Sequence, residues 1–214
     1  EDRALLASGA LESYLTDSFN KNASWAQVAT DLITATGNVA EDGRTALIMA
    51  QQGDPEDTAS EVARVFLGVQ ISCAQCHDHP FADWTQRQFY EMASFFGATE
   101  TLGAKRTGKS ENAAMMRKAV NSLDDKRLQQ QAKNILRVNA MAVEDSTEND
   151  LKLPDDYKYD DGKPGDPVKP KLVTWADDKT KKAYQNVQTK NEEDLRTQFS
   201  KWMTSPDHPR FAMT

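Results

Sequence analysis

Leu5, Leu6, Leu11, Tyr14, Leu15 and Phe19 recur near helical spacing and predict an amphipathic helix over residues 4–19. A second helix starts at Ser24. Ser24 and Gln27 read as an S-x-x-Q capping box, Trp25, Val28, Ala29, Leu32 and Ile33 supply the apolar face, and Gly37 stops it. Residues 38–55 read as a loop, punctuated by Gly43, Gly53 and Pro55 around the short apolar piece Ala46–Met49. A third helix opens after Pro55 on Glu56 and Asp57, acids that suit a helix N-terminus, and carries Val62, Val65, Phe66 and Val69 towards Cys73. Thr85 and Gln88 form another box, with Phe89, Met92, Ala93 and Phe96 on one stripe behind it.

The second half is less regular. Residues 97–110 are a Gly/Lys/Thr loop. Residues 111–143 carry Met115, Met116, Ala119, Val120, Leu123, Leu128, Ala132, Ile135, Leu136 and Val138 as long helical material that Asp124-Asp125 divides. Residues 145–172 contain Pro154, Pro164, Pro167 and Pro170 among Asp, Lys and Gly. Prolines remove backbone donors and bias their predecessors away from helix, so this stretch reads as a surface arm, with Tyr157, Tyr159 and Trp175 as its anchors. Its aspartates (Asp155, Asp156, Asp160, Asp161) do not match the spacing of an EF-hand loop. Residues 172–176 read as one short strand. A last helix spans 191–204, with Glu192, Glu193 and Asp194 at its start and Leu195, Phe199, Trp202 and Met203 on its apolar side; Ser205–Pro209 then turn outward.

The fold class expected is mainly α: an irregular helical domain with a proline-rich extended arm and little or no sheet. The organisation expected is a helical core over 1–110, a hairpin or long helix over 111–144, the arm over 145–190, and a C-terminal helix over 191–214 returning to the core, one domain overall. No internal repeat is present.

Composition narrows the function. The chain has 214 residues, a net charge of −7, 38 % hydrophobic residues and a pI near 5.1, with a mean hydropathy of −0.71. That balance argues against nucleic acid as a partner. No run approaches the roughly 18 apolar residues of a membrane span. No signal peptide stands at Glu1.

Candidate chemistry concentrates in Cys73-Ala74-Gln75-Cys76-His77-Asp78-His79-Pro80-Phe81, which holds both cysteines and two of the three histidines. C-x-x-C-H is the attachment signature of a c-type haem. On a helix of about 100° per residue, Cys73, Cys76 and His77 share an arc of about 100°, so two thiols reach the porphyrin edge while the imidazole reaches iron. His79 falls about 200° from His77 and leaves that face unless the helix ends, which Pro80 suggests. Zinc held by Cys73, Cys76, His77 and His79 and a reversible Cys73–Cys76 disulfide remain alternatives. Phe81, Trp84, Phe89, Tyr90, Phe95 and Phe96 follow within 16 residues. They read as core or, beside this motif, as the dry wall of a haem pocket: Phe81, Trp84, Phe89, Met92 and Phe96 are the cofactor-lining candidates.

Should haem be bound, His77 is the proximal ligand. Met92 and His208 are the leading candidates for the sixth position; Met115, Met116 and Met141 are others, and a vacant position would permit ligand binding or peroxide chemistry. His79 reads as an outer partner that bonds a propionate or orients Asp78. No G-x-G-x-x-G, P-loop or nucleophile motif accompanies the site, so an enzymatic role stays open rather than indicated.

The stretch Glu61–Phe81 (EVARVFLGVQISCAQCHDHPF), Trp84-Thr85-Gln86 and Tyr90–Phe96 resembles the cytochrome-associated domain of unknown function abundant in planctomycetes and their relatives. Leu15–Asn22, Asp31–Gly37, the proline-rich 154–170 and Trp202–Ala212 are similar to it as well. The resemblance implies an exported, periplasmic or cell-surface protein with one covalent haem c, a redox partner protein, and an adjacent domain beyond the C-terminus, this chain being a fragment or minimal relative.

Overall fold

The computed structural model describes residues 2–101, 118–139, 141–146, 148–149, 151–173 and 195–211, without the side chains of 2–7 and 134–139. Among them the architecture is mainly α, with one small sheet.

Helix α1 runs Asp2–Asn20 and α2 runs Trp25–Thr34. Ser24 caps α2, its hydroxyl accepting the Gln27 N–H at 3.1 Å. The box is only half formed, because the Gln27 amide donates to Asp31 Oδ1 at 2.8 Å instead of returning to Ser24. α2 ends at Thr34, short of Gly37, which has φ +108° and opens a strand through its pairing with Val143.

The expected 38–55 loop contains a 3-10 turn (Gly43–Thr45) and helix α3 (Ala46–Ala50). The turn lies on α1, and a Cβ on Gly43 would stand 2.0 Å from the Ala10 carbonyl oxygen, so glycine alone permits this approach. Helix α4 is Pro55–Phe66, started by Asp54, whose carboxylate accepts the N–H groups of Glu56 and Asp57 at 3.1 Å. Helix α5, Gln86–Ala93, has the full reciprocal box of Thr85 and Gln88 and runs into a 3-10 turn at Ser94–Phe96.

Three strands form an antiparallel sheet in the order β1 (Gly37–Asn38), β3 (Ala142–Asp145), β2 (Thr99–Thr101). Gly37 pairs with Val143, and Thr101 with Val143 from the other side. β1 and β2 lie where loops were expected. Helix α6, Lys126–Asn139, follows a break after residues 118–121; Asp125 Oδ1 accepts the Arg127 N–H at 2.7 Å, so the break falls at the expected Asp124-Asp125.

Helix α7, Leu195–Met203, packs on α2 and on the turn after α5. Its Phe199 meets Phe95, Phe96 and Trp202 at ring-centroid distances of 5.3–5.4 Å. These rings join Val28, Ile33, Val62, Phe66, Phe89 and Met92 in one core.

The expected surface arm requires correction. Leu151, Leu153, Tyr157, Val168 and Val173 are buried in the same core. Lys152 and Pro167 form an antiparallel bridge, flanked by Leu153 N–H to Asp166 O at 2.9 Å and Val168 N–H to Leu151 O at 3.0 Å. The prolines exclude helix, yet Leu151-Lys152-Leu153 alternates buried, exposed, buried as a strand does, which lets an extended segment deliver apolar side chains inward. Residues 171–173 have no strand assignment, and the rest of the expected 172–176 strand, with Trp175, lies outside the described residues, as do Met115, Met116 and Glu192–Asp194.

Candidate functional site

The C-x-x-C-H segment does not ride the end of α4. That helix closes at Phe66, and the chain turns through Gly68 at φ +62° while the Val69 N–H bonds back to the Ala63 carbonyl. Ile71 is then anchored in the core, and a separate 3-10 turn, Ser72–Gln75, carries the first cysteine. This geometry changes the facing argument. Cys73 lies inside this turn and Cys76 caps its C-terminal end, with φ −105° and ψ −24°. Ala74 points into the core, while Cys73 and Cys76 are exposed free thiols.

His77 lies just past the turn and is exposed. Its Nδ1 is 2.7 Å from the Asp78 carbonyl oxygen. A carbonyl only accepts, so Nδ1 carries the hydrogen and, in the neutral ring, Nε2 keeps its lone pair. This is the arrangement of a histidine ready to ligate a metal through Nε2.

Asp78 is fixed from two sides. Its backbone N–H donates to the Tyr159 hydroxyl at 2.7 Å, and its Oδ1 accepts the Gln86 N–H at 2.8 Å. The Gln86 amide in turn donates to the Gln75 carbonyl at 2.8 Å, with the Tyr90 hydroxyl 3.4 Å from the same oxygen. Asp78 is therefore held by Tyr159 and Gln86, and the expected orienting role of His79 is taken by them. His79 Nδ1 accepts the Phe81 N–H at 3.2 Å, and its backbone N–H donates to the Trp84 carbonyl at 2.7 Å, closing the 79–84 loop.

The expected aromatic wall divides. Phe81 is 94 % exposed at the loop tip. Trp84, Phe89, Met92 and Phe96 are buried in the protein's own core, where the stripe on α5 meets α4, so they are packing residues as they stand. Met141 is packed with Val39 and Ala46 in a smaller cluster. His208, expected in an exposed turn, is fully buried: Trp202 meets its ring edge-on at 4.6 Å, and its Nδ1 accepts the Phe211 N–H at 3.1 Å. The reason is that α7 returns to the core, and the turn following it folds back over Trp202.

Among the described residues no three His, Cys, Asp or Glu side chains converge as a metal cage, so Cys73, Cys76, His77 and His79 are not gathered around one point. A hollow of about 320 Å³ lies between α4 and residues 70–72, lined by Asp57, Ser60, Glu61, Arg64, Gln70 and Ser72 among others. It is polar and crossed by the Arg64–Glu61 ion pair, unlike the apolar slot that a porphyrin face requires.

Tyr159 and Gln86 are the site residues that motif reading did not assign to it. Tyr159 lies 81 positions from Asp78, and its aromatic character among charged residues was the only local signal, as an anchor of the arm.

Residues 1–101 match the model of the family PSCyt2, described as a protein of unknown function (DUF1549). The matched span covers positions 73–77 and ends with β2; the likeness seen in 154–170 and 202–212 falls beyond it. No curated protein and no solved structure matches the chain. Among the described residues no helix is long and apolar enough to cross a membrane. Over its first 101 residues, then, the chain is similar to a domain family whose function is not known.

Proposed function

We propose that the chain is a c-type haem module for electron transfer within an exported protein. The observation that carries this reading is the set of three groups at 73–77: two exposed thiols, one on a 3-10 turn and one at its C-cap, followed by a histidine with Nδ1 committed to the Asp78 carbonyl. Cys73 and Cys76 would hold the porphyrin. Both links would be thioethers, an S–H added across a vinyl C=C, so attachment would need no oxidant. His77 Nε2 would hold the iron, which when bound supplies a one-electron carrier. One protein nitrogen and two thioethers suffice for this, whereas zinc needs a convergent cage that these four side chains do not make. Attachment outside the cytoplasm accounts for an exported location and removes any conflict with the two reduced cysteines.

The burial of Met92 and His208 favours a second reading of the same site. Both side chains are engaged in the core, at 1 % and 0 % exposure. Neither is free to approach the exposed His77 while the core stays closed, and Met115 and Met116 lie outside the described residues; an iron position left to an external ligand would make ligand-binding or enzymatic haem chemistry accessible.

Coexpression with a haem-maturation system decides the matter. The intact protein should gain the mass of one haem and give the pyridine haemochrome of two thioether links, both lost in the Cys73→Ala/Cys76→Ala variant. An unmodified mass in the wild type, with zinc recovered by elemental analysis, refutes the haem reading. Rapid carbon monoxide binding to the reduced protein selects the open-iron form.

A further inference from the structure

Three bonds meet at Asp78, the residue after the proposed iron ligand. Its carbonyl accepts from His77 Nδ1, its carboxylate accepts the Gln86 N–H at the start of α5, and its N–H donates to Tyr159. The first is local and the second lies eight residues away. The third ties the loop to the proline-rich segment, and that segment is itself rooted: Tyr157 is buried, its hydroxyl donates to Asp161 Oδ1, and its ring meets that of Tyr159 edge-on at 5.6 Å. Arg87 of α5 reaches the Asp161 carbonyl at 3.4 Å from the other side. The loop has little of its own to hold it, since residues 76–83 are exposed or half-buried and both the His79 N–H to Trp84 carbonyl bond and the Trp84 N–H to Ala82 carbonyl bond end on Trp84.

We propose that Tyr159 is a positioning residue for the haem site: its hydroxyl fixes Asp78, and Asp78 fixes the ring of His77. The proposal rests on the haem reading above and extends it, because the proline-rich segment becomes part of the ligand-orienting shell. Donors and acceptors behind a ligating histidine set its tautomer and ring angle, and with them the electronic properties of the metal. Without the Tyr159 hydroxyl the His77–Asp78 peptide loses the acceptor of its N–H, so the ring of His77 is no longer set against the Asp78 carbonyl, whose own peptide stays tied through the His79 N–H to Trp84.

The test compares Tyr159→Phe with Tyr157→Phe. The first removes the bond to Asp78 and keeps the ring against Tyr157; the second removes a hydroxyl bonded only within the segment. In apoprotein, Tyr159→Phe should raise amide exchange at Asp78 about two- to tenfold, the effect of losing one ordinary hydrogen bond. It should also convert the single Nδ1–H tautomer of His77, read from ring nitrogen shifts, into a mixture. In haem-loaded protein it should shift the midpoint potential. Tyr157→Phe should leave the His77 tautomer and the potential as in the wild type. The proposal is overturned if Tyr159→Phe leaves both unchanged, or if Tyr157→Phe moves them equally, which would indicate general loosening. Should the wild type take up no haem while the apoprotein tautomer responds to Tyr159→Phe alone, the haem reading falls and the positioning role stands.

Discussion

Arg196 holds three segments at one point. It is 3 % exposed, and its guanidinium donates to both carboxylate oxygens of Asp145 at the end of β3 and to the carbonyls of Ile33 and Ala35 at the end of α2. The fork satisfies two orphan carbonyls and one carboxylate that a smaller side chain would leave bare. Arg196→Ala should lower unfolding free energy by about 1–3 kcal/mol, measured by urea denaturation, because the Ile33 and Ala35 carbonyls lose their charged donor while Asp145 itself stays exposed. Arg196→Lys should recover only part of this, because an ammonium cannot span the same four acceptors. None of it was legible beforehand. Arg196 sits among charged and polar neighbours on a helix whose apolar positions alone were read, and its partners come from chain segments 51 and more than 160 residues away.

Among the elements, α1 and α2 are joined by a bond with a predictable pH dependence. The Tyr14 hydroxyl donates to Asp31 Oδ2 at 2.9 Å. Burial pushes the Tyr14 pKa from 10.0 to about 12, the Asp31 carboxylate adding to the rise and Ser18 opposing it. The folded state thus favours the neutral phenol. Its contribution is fully present below pH 10.0 and is lost as pH rises through about 12. Denaturant midpoints of the wild type should fall more steeply than those of Tyr14→Phe as pH rises from 10.0 towards about 12; equal slopes in the two proteins would contradict the assignment. At this scale the sequence reads well where a local device exists. Ser24 and Thr85, read as caps, each cap a helix with their own side chain, and Asp54 and Asp125, not read as caps, do the same beside the expected start at Pro55 and the expected break at Asp124-Asp125. The strands were missed because two or three residues carry no period, and β3 is defined by partners on both sides rather than by its own pattern.

The molecule as a whole depends on the proline-rich segment as core. Leu153 is 2 % exposed, and Gly162 lies so close that a Cβ there would stand 2.6 Å from its Cδ1. Leu153→Ala should therefore destabilise the protein by about 2–5 kcal/mol, as expected for a buried leucine, and lower one cooperative transition rather than release a tail. A wild-type melting curve with Leu153→Ala would return the segment to the surface. The same segment carries Tyr159, so the part that completes the core also reaches the site.

By itself the sequence determined the mainly helical class, the helix starts that carry their own capping side chains, the pairing of two thiols with a histidine at 73–77, and the interruption at Asp124-Asp125. These depend on contacts within about four residues, where side-chain chemistry and chain geometry suffice. Tertiary structure alone decided that Cys73 rides a separate 3-10 turn beyond Gly68, that Met92 and His208 are core residues, and that Leu151, Leu153, Tyr157, Val168 and Val173 of the proline-rich segment are buried. It decided these because an apolar stripe, a methionine or an alternating leucine pair records only that a surface is to be covered. Which surface covers it is settled when α7 and the proline-rich segment fold back from the far end of the chain.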